Sequence, residues 1–203
     1  TSTNTDGDIN STVQVNSDAG FSIVQYVPTN TTARSIGHGL GVQPQVVIVR
    51  NRPRVENWRV FHRSAGTTGS LKLDDATAYN SSTTLFTGDS TSTVFKVGTD
   101  FSVNGNYPYV AYCFAEKQGY SKFGKYVGNG NADGPFVHLG FKPAWVLVKN
   151  ISSAYDWRLL DATRNTFNAA DLLLMPNNNS AEFDGSTHST NMGIDFVSNG
   201  FKL

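Results

Sequence analysis

The feature that most constrains this chain is a self-match at a shift of 99 residues. The segment Leu40-Gly-Val-Gln-Pro-Gln-Val-Val-Ile-Val-Arg-Asn51 falls on Leu139-Gly-Phe-Lys-Pro-Ala-Trp-Val-Leu-Val-Lys-Asn150. At the same offset Gly20 and Ser22 fall on Gly119 and Ser121, and Trp58-Arg59 falls on Trp157-Arg158. With one residue inserted, Tyr26-Val27 meets Tyr126-Val127, and Asp100-Phe-Ser-Val-Asn-Gly105 resembles Asp195-Phe-Val-Ser-Asn-Gly200. A constant offset held over about 40 residues marks a repeated supersecondary unit, because chance does not keep register around a Trp-Arg pair.

The expected organisation is an N-terminal strand or linker over 1–19, a first β unit over 20–118 and a second over 119–203. Within each unit Pro44 or Pro143 fixes φ just ahead of a Val-rich strand and cannot sit inside it. The preceding Leu-Gly lets the chain reverse and turns Leu40 or Leu139 inward. Trp58 and Trp157, being duplicated, are expected to anchor the core. The first unit is followed by the apolar run Tyr109 to Ala115, and the second has no such run after it. Either the chain is a fragment, as its start at Thr1 also implies, or a strand near Ser11 to Val15 fills the equivalent place.

The segments themselves are β-like. Phe21 to Val27, Val46 to Val49, Trp58 to Phe61, Val94 to Val97, Tyr109 to Ala115, Phe136-Val137, Trp145 to Val148, Trp157 to Leu160 and Ile194 to Val197 are short and rich in β-branched and aromatic residues. Between them stand Asn-Gly and Asp-Gly dipeptides, which tolerate the positive φ of tight turns. Ala169 to Met175, stopped by Pro176, is the one segment that suits a short helix, although a strand or a single turn fits it too. Ser, Thr, Asn and Gly make up 77 of the 203 residues, which disfavours helices and favours turns. The fold class is therefore all-β: two related antiparallel β-sandwich-like units from an internal duplication.

Several function classes are excluded or weakened. No apolar run approaches the roughly 20 residues that span a bilayer, so no membrane insertion is expected. A formal net charge of +0 gives no field to attract nucleic acid. The single cysteine, Cys113, rules out an intrachain disulfide framework, and its apolar setting marks a small buried hydrophobe. No histidine pair has metal-ligand spacing, and no phosphate loop or nucleophile elbow occurs. No catalytic residue, no metal and no cofactor is expected. Calcium on Asp6-Gly-Asp8 or on Gly128 to Gly134 is a minor alternative. His38, in Gly37-His-Gly-Leu-Gly41, suits a turn residue bonded to backbone. Arg50, Arg52, Arg54, Arg59 and Arg63 form a local basic cluster best explained as solvated arginines. Trp145 and Tyr155 are aromatics with no aromatic counterpart in the other copy, Val46 standing where Trp145 would fall, and they are the candidate ligand-binding residues for a surface glycan.

Eight segments occur together in a fixed order: Ala19 to Tyr26, Ile36 to Pro44, Tyr109 to Glu116, Gly119 to Gly124, Gly128 to Gly130, Asp133 to Phe136, Gly140 to Trp145 and Ser198 to Lys202. In these segments the chain resembles a family of modules found in tail and tail-fibre proteins of tailed bacteriophages, common in marine phages. The resemblance covers about residues 9 to 203. It implies a virion structural protein, made in the host cytoplasm and exposed on the particle exterior. A tail-fibre or tail-tip appendage contributing to host attachment is the leading expectation. Its partners would be other virion proteins, further copies of itself with a trimer favoured, and a host surface glycan or protein. A purely architectural role, in capsid decoration or beside the tail, is the alternative, and a polysaccharide-degrading enzyme a weaker one. Few charges and no disulfides suit a protein that folds in a reducing cytoplasm and works outside the cell.

Overall fold

Short apolar runs closed by Gly, Asn and Pro become short strands. In the computed structural model, which describes residues 1–29, 31–187 and 193–203, the chain is all-β with several antiparallel sheets. The first nine strands are β1 (Ser2–Asn4), β2 (Ser11–Asn16), β3 (Phe21–Tyr26), β4 (Arg34–Gly37), β5 (Val46–Asn51), β6 (Arg59–His62), β7 (Leu71–Lys72), β8 (Val94–Val97) and β9 (Tyr109–Phe114). They are followed by β10 (Phe136–His138), β11 (Trp145–Val148), β12 (Arg158–Asp161), β13 (Leu172–Leu174), β14 (Phe183–Asp184), β15 (Asp195–Val197) and β16 (Gly200–Lys202).

A seven-stranded sheet runs β1-β2-β3-β9-β5-β6-β7. Its centre is β9, the most apolar stretch of the chain. Tyr109, Ala111 and Cys113 are fully buried on one face, while Val110, Tyr112 and Phe114 are half-buried on the other. A strand covered on both faces needs this continuous apolar character. The inner face carries Val24, Tyr26, Val47 and Val49. Over it lies the two-stranded sheet β4-β8 with Ile36, Phe95 and Val97, and loop residues Leu85, Phe86 and Val103 complete the cluster. Each large side chain fully withdrawn from water contributes about 1.5–3 kcal/mol. A second, smaller core lies between the four-stranded sheet β11-β12-β13-β14 and the three-stranded sheet β10-β16-β15. It holds Leu160, Ala170, Leu173, Ile194, Phe196 and Phe201.

Two sequence expectations are decided here. The strand near Ser11 to Val15 does not complete the second unit. It is β2, paired with β3 from Ser11↔Tyr26 to Asn16↔Phe21. The tight turn between them holds it there, with the Ala19 N–H donating to Asn16 Oδ1 at 3.0 Å, and Val13 buries in phase with Val24. The Ala169 to Met175 segment is a strand rather than a helix. Leu173 is fully buried, paired with Leu160 on one side and Phe183 on the other.

Several local geometries recur in both halves. In the β5–β6 hairpin Val46 faces His62 and Val49 faces Arg59. In the β11–β12 hairpin Trp145 faces Asp161 and Val148 faces Arg158, the same register displaced by 99 residues on both strands. Gly41 and Gly140, after the paired leucines, both adopt positive φ, at 71° and 84°. An L side chain rarely takes that conformation, which explains the Leu-Gly-x-x-Pro pattern. Ile36 faces Phe95 across β4–β8, and Val137 faces Phe201 across β10–β16. Tyr26 meets Phe95 edge-on, with centroids 6.0 Å apart at 72°, and Tyr126 meets Phe201 at 6.4 Å and 82°.

The two cores are joined by a third cluster. Trp157 packs with Val46, Val60 and Leu71 from the outer face of the large sheet, and Leu147, Ile151 and Phe123 lie against them. The indole Nε1–H donates to the Lys72 carbonyl at 2.7 Å. The Tyr79 N–H donates to the Ile151 carbonyl at 3.0 Å, and Lys149 Nζ donates to the Ala76 carbonyl at 3.0 Å.

Candidate functional site

Alternation along β3, β6 and β9 sends every second side chain to the outer face of the large sheet. Trp157 and its neighbours cover one part of that face. The part left open carries aromatics. Trp58, just ahead of β6, stacks on Tyr112 at 6.2 Å and 21°, and Tyr112 lies parallel to Phe21 at 6.4 Å and 8°. Phe21 continues to Phe114 at 4.9 Å, and Phe114 to Phe123 at 6.1 Å. The Arg50 guanidinium sits 5.6 Å over the Trp58 ring, within cation–π range. All these rings except the Trp157-side Phe123 and Phe114 keep part of their surface away from the third cluster. The Phe21 end of this ladder opens into a shallow groove of about 460 Å³ lined by Gln14, Val15, Asn16, Ser17, Asp18, Phe21 and Ile23. These half-buried rings stand beside the amide, hydroxyl and carboxylate groups of Gln14, Asn16, Ser17 and Asp18. The sequence signal was the alternation of aromatics in Phe21 to Tyr26 and Tyr109 to Phe114, but which face stayed open was not visible in it.

The residues singled out from the sequence fall as follows. Trp145 is 57% exposed and Tyr155 56% exposed. They lie toward opposite ends of the β11–β12 hairpin: the length of β11 alone, from Trp145 to Val148, is roughly 10 Å at 3.3 Å per residue. Nothing in the described contacts joins them. Trp157 is buried, whereas Trp58 is half-buried on the outer face, because only the Trp157 side is covered by the other half of the chain. Pro44 and Pro143 are buried; Leu40 is buried in the first core and Leu139 packs half-buried against the second.

The basic cluster is largely engaged. Arg63 pairs with Asp89 at 2.9 Å, Arg54 donates to Tyr107 Oη at 3.1 Å and Arg59 donates to Ser102 Oγ at 2.9 Å. The carboxylates of the possible calcium loops are engaged as well: Asp8 accepts from Ser35 at 2.7 Å and Asp133 pairs with Lys202 at 2.5 Å. Among the described residues no group of three or more His, Cys, Asp or Glu side chains converges. No helix among them is long and apolar enough to cross a membrane. Burial pushes the Cys113 thiol up to about 12, which leaves it protonated and unreactive at neutral pH. His188 lies outside the described residues.

His38 is buried and neutral. The Leu40 N–H donates to its Nδ1 at 3.2 Å, so Nε2 carries the proton and donates to the Thr91 carbonyl at 3.2 Å. Burial lowers its pKa below the ordinary 6.5, and does the same for His62. The unfolded chain therefore binds these protons first, and stability falls as pH drops through 6.5. Thermal unfolding followed from pH 7.5 to 5 should show this loss, with a shallower slope in His38→Asn. An unchanged slope in that variant would exclude His38 as a source. The lowered carboxylates Asp8, Asp75, Asp133 and Asp161 act in a separate window, below 3.8.

No curated protein matches the chain, and no solved structure matches it. One family model does, over residues 1–203. The chain belongs to that family, a domain of unknown function designated DUF7483.

Proposed function

We propose that this chain is a non-enzymatic virion module of a tailed bacteriophage, part of a tail fibre or tail tip, and that it contributes to host-surface attachment through the outer face of its large sheet. The observation that carries the attachment reading is the aromatic ladder from Trp58 through Tyr112 to Phe21, ending in a polar groove. The ordered motifs of the sequence support the phage assignment. Residues 20–118 and 119–203 are two copies of one β unit, a reading supported by the hairpin register shared at an offset of 99 residues. Its partners are other virion proteins and further copies of itself.

Immunogold labelling of virions against this chain tests the assignment, and absence from particles would sink it. A glycan array with the assembled protein tests attachment. Binding that drops about two- to tenfold in each of Trp58→Ala and Phe21→Ala is the expected result, since ring stacking contributes about 0.5–1.5 kcal/mol per contact beyond area burial. Both substitutions remove half-buried rings and leave the core intact. No binding by the correctly assembled protein would favour an architectural role.

A further inference from the structure

We infer that the second half of the chain is an acceptor for one β-strand supplied by a polypeptide segment outside residues 1–203, a strand with the alternation of β9. The inference rests on the equivalence of the two units and is independent of the virion assignment.

In the first half, β5 has a neighbour on each side, β6 and β9, and β9 pairs in turn with β3. In the second half the equivalent of β5 is β11, and the equivalent of β6 is β12. Among the described residues β11 is the edge of its sheet, with β12 its only strand neighbour. The equivalent of β3 follows from Gly20, Ser22 and Tyr26 matching Gly119, Ser121 and Tyr126. That stretch, residues 122–129, pairs with no strand. Both neighbours of β9 therefore have counterparts in the second half, and β9 has none among the described residues.

Two side-chain observations agree. Tyr26 touches Phe95 edge-on and stacks on Tyr109 of β9 at 5.2 Å and 13°. Tyr126 makes the matching edge contact with Phe201, and no stack on a second ring is among its described contacts. Tyr26 is accordingly 2% exposed and Tyr126 36%. Val46 is buried under its neighbours, whereas its counterpart Trp145 is exposed.

Backbone groups point the same way. The Arg63 N–H donates to the Gln45 carbonyl, and the equivalent Ala162 N–H donates to the Ala144 carbonyl, both at 2.9 Å. Antiparallel alternation then directs the N–H and C=O groups of Trp145 and Leu147 to the open edge. An unpaired edge of this kind, short but apolar, is a template for strand addition. The β5–β9 register, in which Val46 faces Phe114 and Asn51 faces Tyr109, defines the fit. The incoming strand runs antiparallel to β11, with its small residues facing the core side as Ala111 and Cys113 do.

The test uses the full chain and a synthetic peptide with the sequence of residues 109–115 between lysine pairs. The control peptide has the same composition with neighbours exchanged, which inverts the alternation and sends the wrong side chains inward. Amide exchange is read by NMR. The expected result is saturable binding of the in-phase peptide, slowed exchange at Trp145 and Leu147, and at least about tenfold weaker binding of the control. Equal binding of both peptides, or none, overturns the inference. A dimer formed without peptide and protected at Trp145 and Leu147 also overturns it, in favour of a second copy of the chain as occupant. Val146 and Val148, which face β12, report on the hairpin itself. If they exchange freely without peptide, the equivalence of the units has failed, and the acceptor assignment falls with it.

Discussion

Trp157→Ala lowers the free energy of unfolding by about 3–5 kcal/mol, the range for truncating a buried tryptophan. The ring is 5% exposed and fills the space between Val46, Val60 and Leu71. Its loss leaves a cavity where the two halves of the chain meet. It also strips the Lys72 carbonyl of its donor, a desolvated acceptor worth about 1–3 kcal/mol by itself. Trp157→Phe keeps most of the apolar contact and isolates that second contribution. Trp58→Ala is the informative comparison, since the two tryptophans fall on each other in the sequence self-match. Trp58 is half-buried, and its loss forfeits mainly the stack on Tyr112, about 0.5–1.5 kcal/mol. Urea unfolding of the three variants checks the ordering. Equal costs for Trp58→Ala and Trp157→Ala would contradict the asymmetric covering of the outer face.

Asn104→Ala is the second large effect. The side chain is fully buried, and its Nδ2 donates to the Thr32 carbonyl at 2.7 Å and the Gly98 carbonyl at 2.6 Å. Removing the amide takes the donor from the buried bond to the Gly98 carbonyl, at about 1–3 kcal/mol, and gives up the second bond to the exposed Thr32. Asn104→Asp is expected to be worse at neutral pH, because a carboxylate in this buried position then faces the Gly98 carbonyl with no proton to donate. The motif partner Asn199 is exposed, and its carbonyl rather than its side chain accepts, from the Leu139 and Gly140 N–H groups at 2.9 and 3.0 Å. Asn199→Ala keeps that carbonyl and is expected to stay within about 0.5 kcal/mol of the parent. Thermal unfolding of Asn104→Ala beside Asn199→Ala separates the two roles. A large loss in Asn199→Ala would show that the motif acts through its side chain in both places.

These pairs show where sequence reading carries and where it stops. The self-match located both hairpins, and the hairpins pair in the register that it implies. Gly41 and Gly140 were legible because positive φ is a local demand that glycine meets. His38 and Cys113 were legible from an apolar or glycine-rich setting. The aromatic ladder was half legible: the alternation in β3 and β9 was present, but nothing local said which face another element would cover. Trp145 and Tyr155 attracted notice for lacking counterparts, yet they lie toward opposite ends of one hairpin. The strands β4, β7, β14 and β16 are too short to carry a period.

What the sequence by itself determined is local: β-structure, the places where the chain turns, and the residues able to face inward. These depend on steric preferences and on period-two alternation over a few residues. Tertiary structure alone decided that β9 enters the middle of the large sheet and that β2 joins it. It also decided that Trp157 is buried while Trp58 is not, and that β11 has one strand neighbour among the described residues. Each of those outcomes depends on which distant strand arrives at a given edge or face. Pairing and burial between segments tens of residues apart are not encoded in the periodicity of either segment.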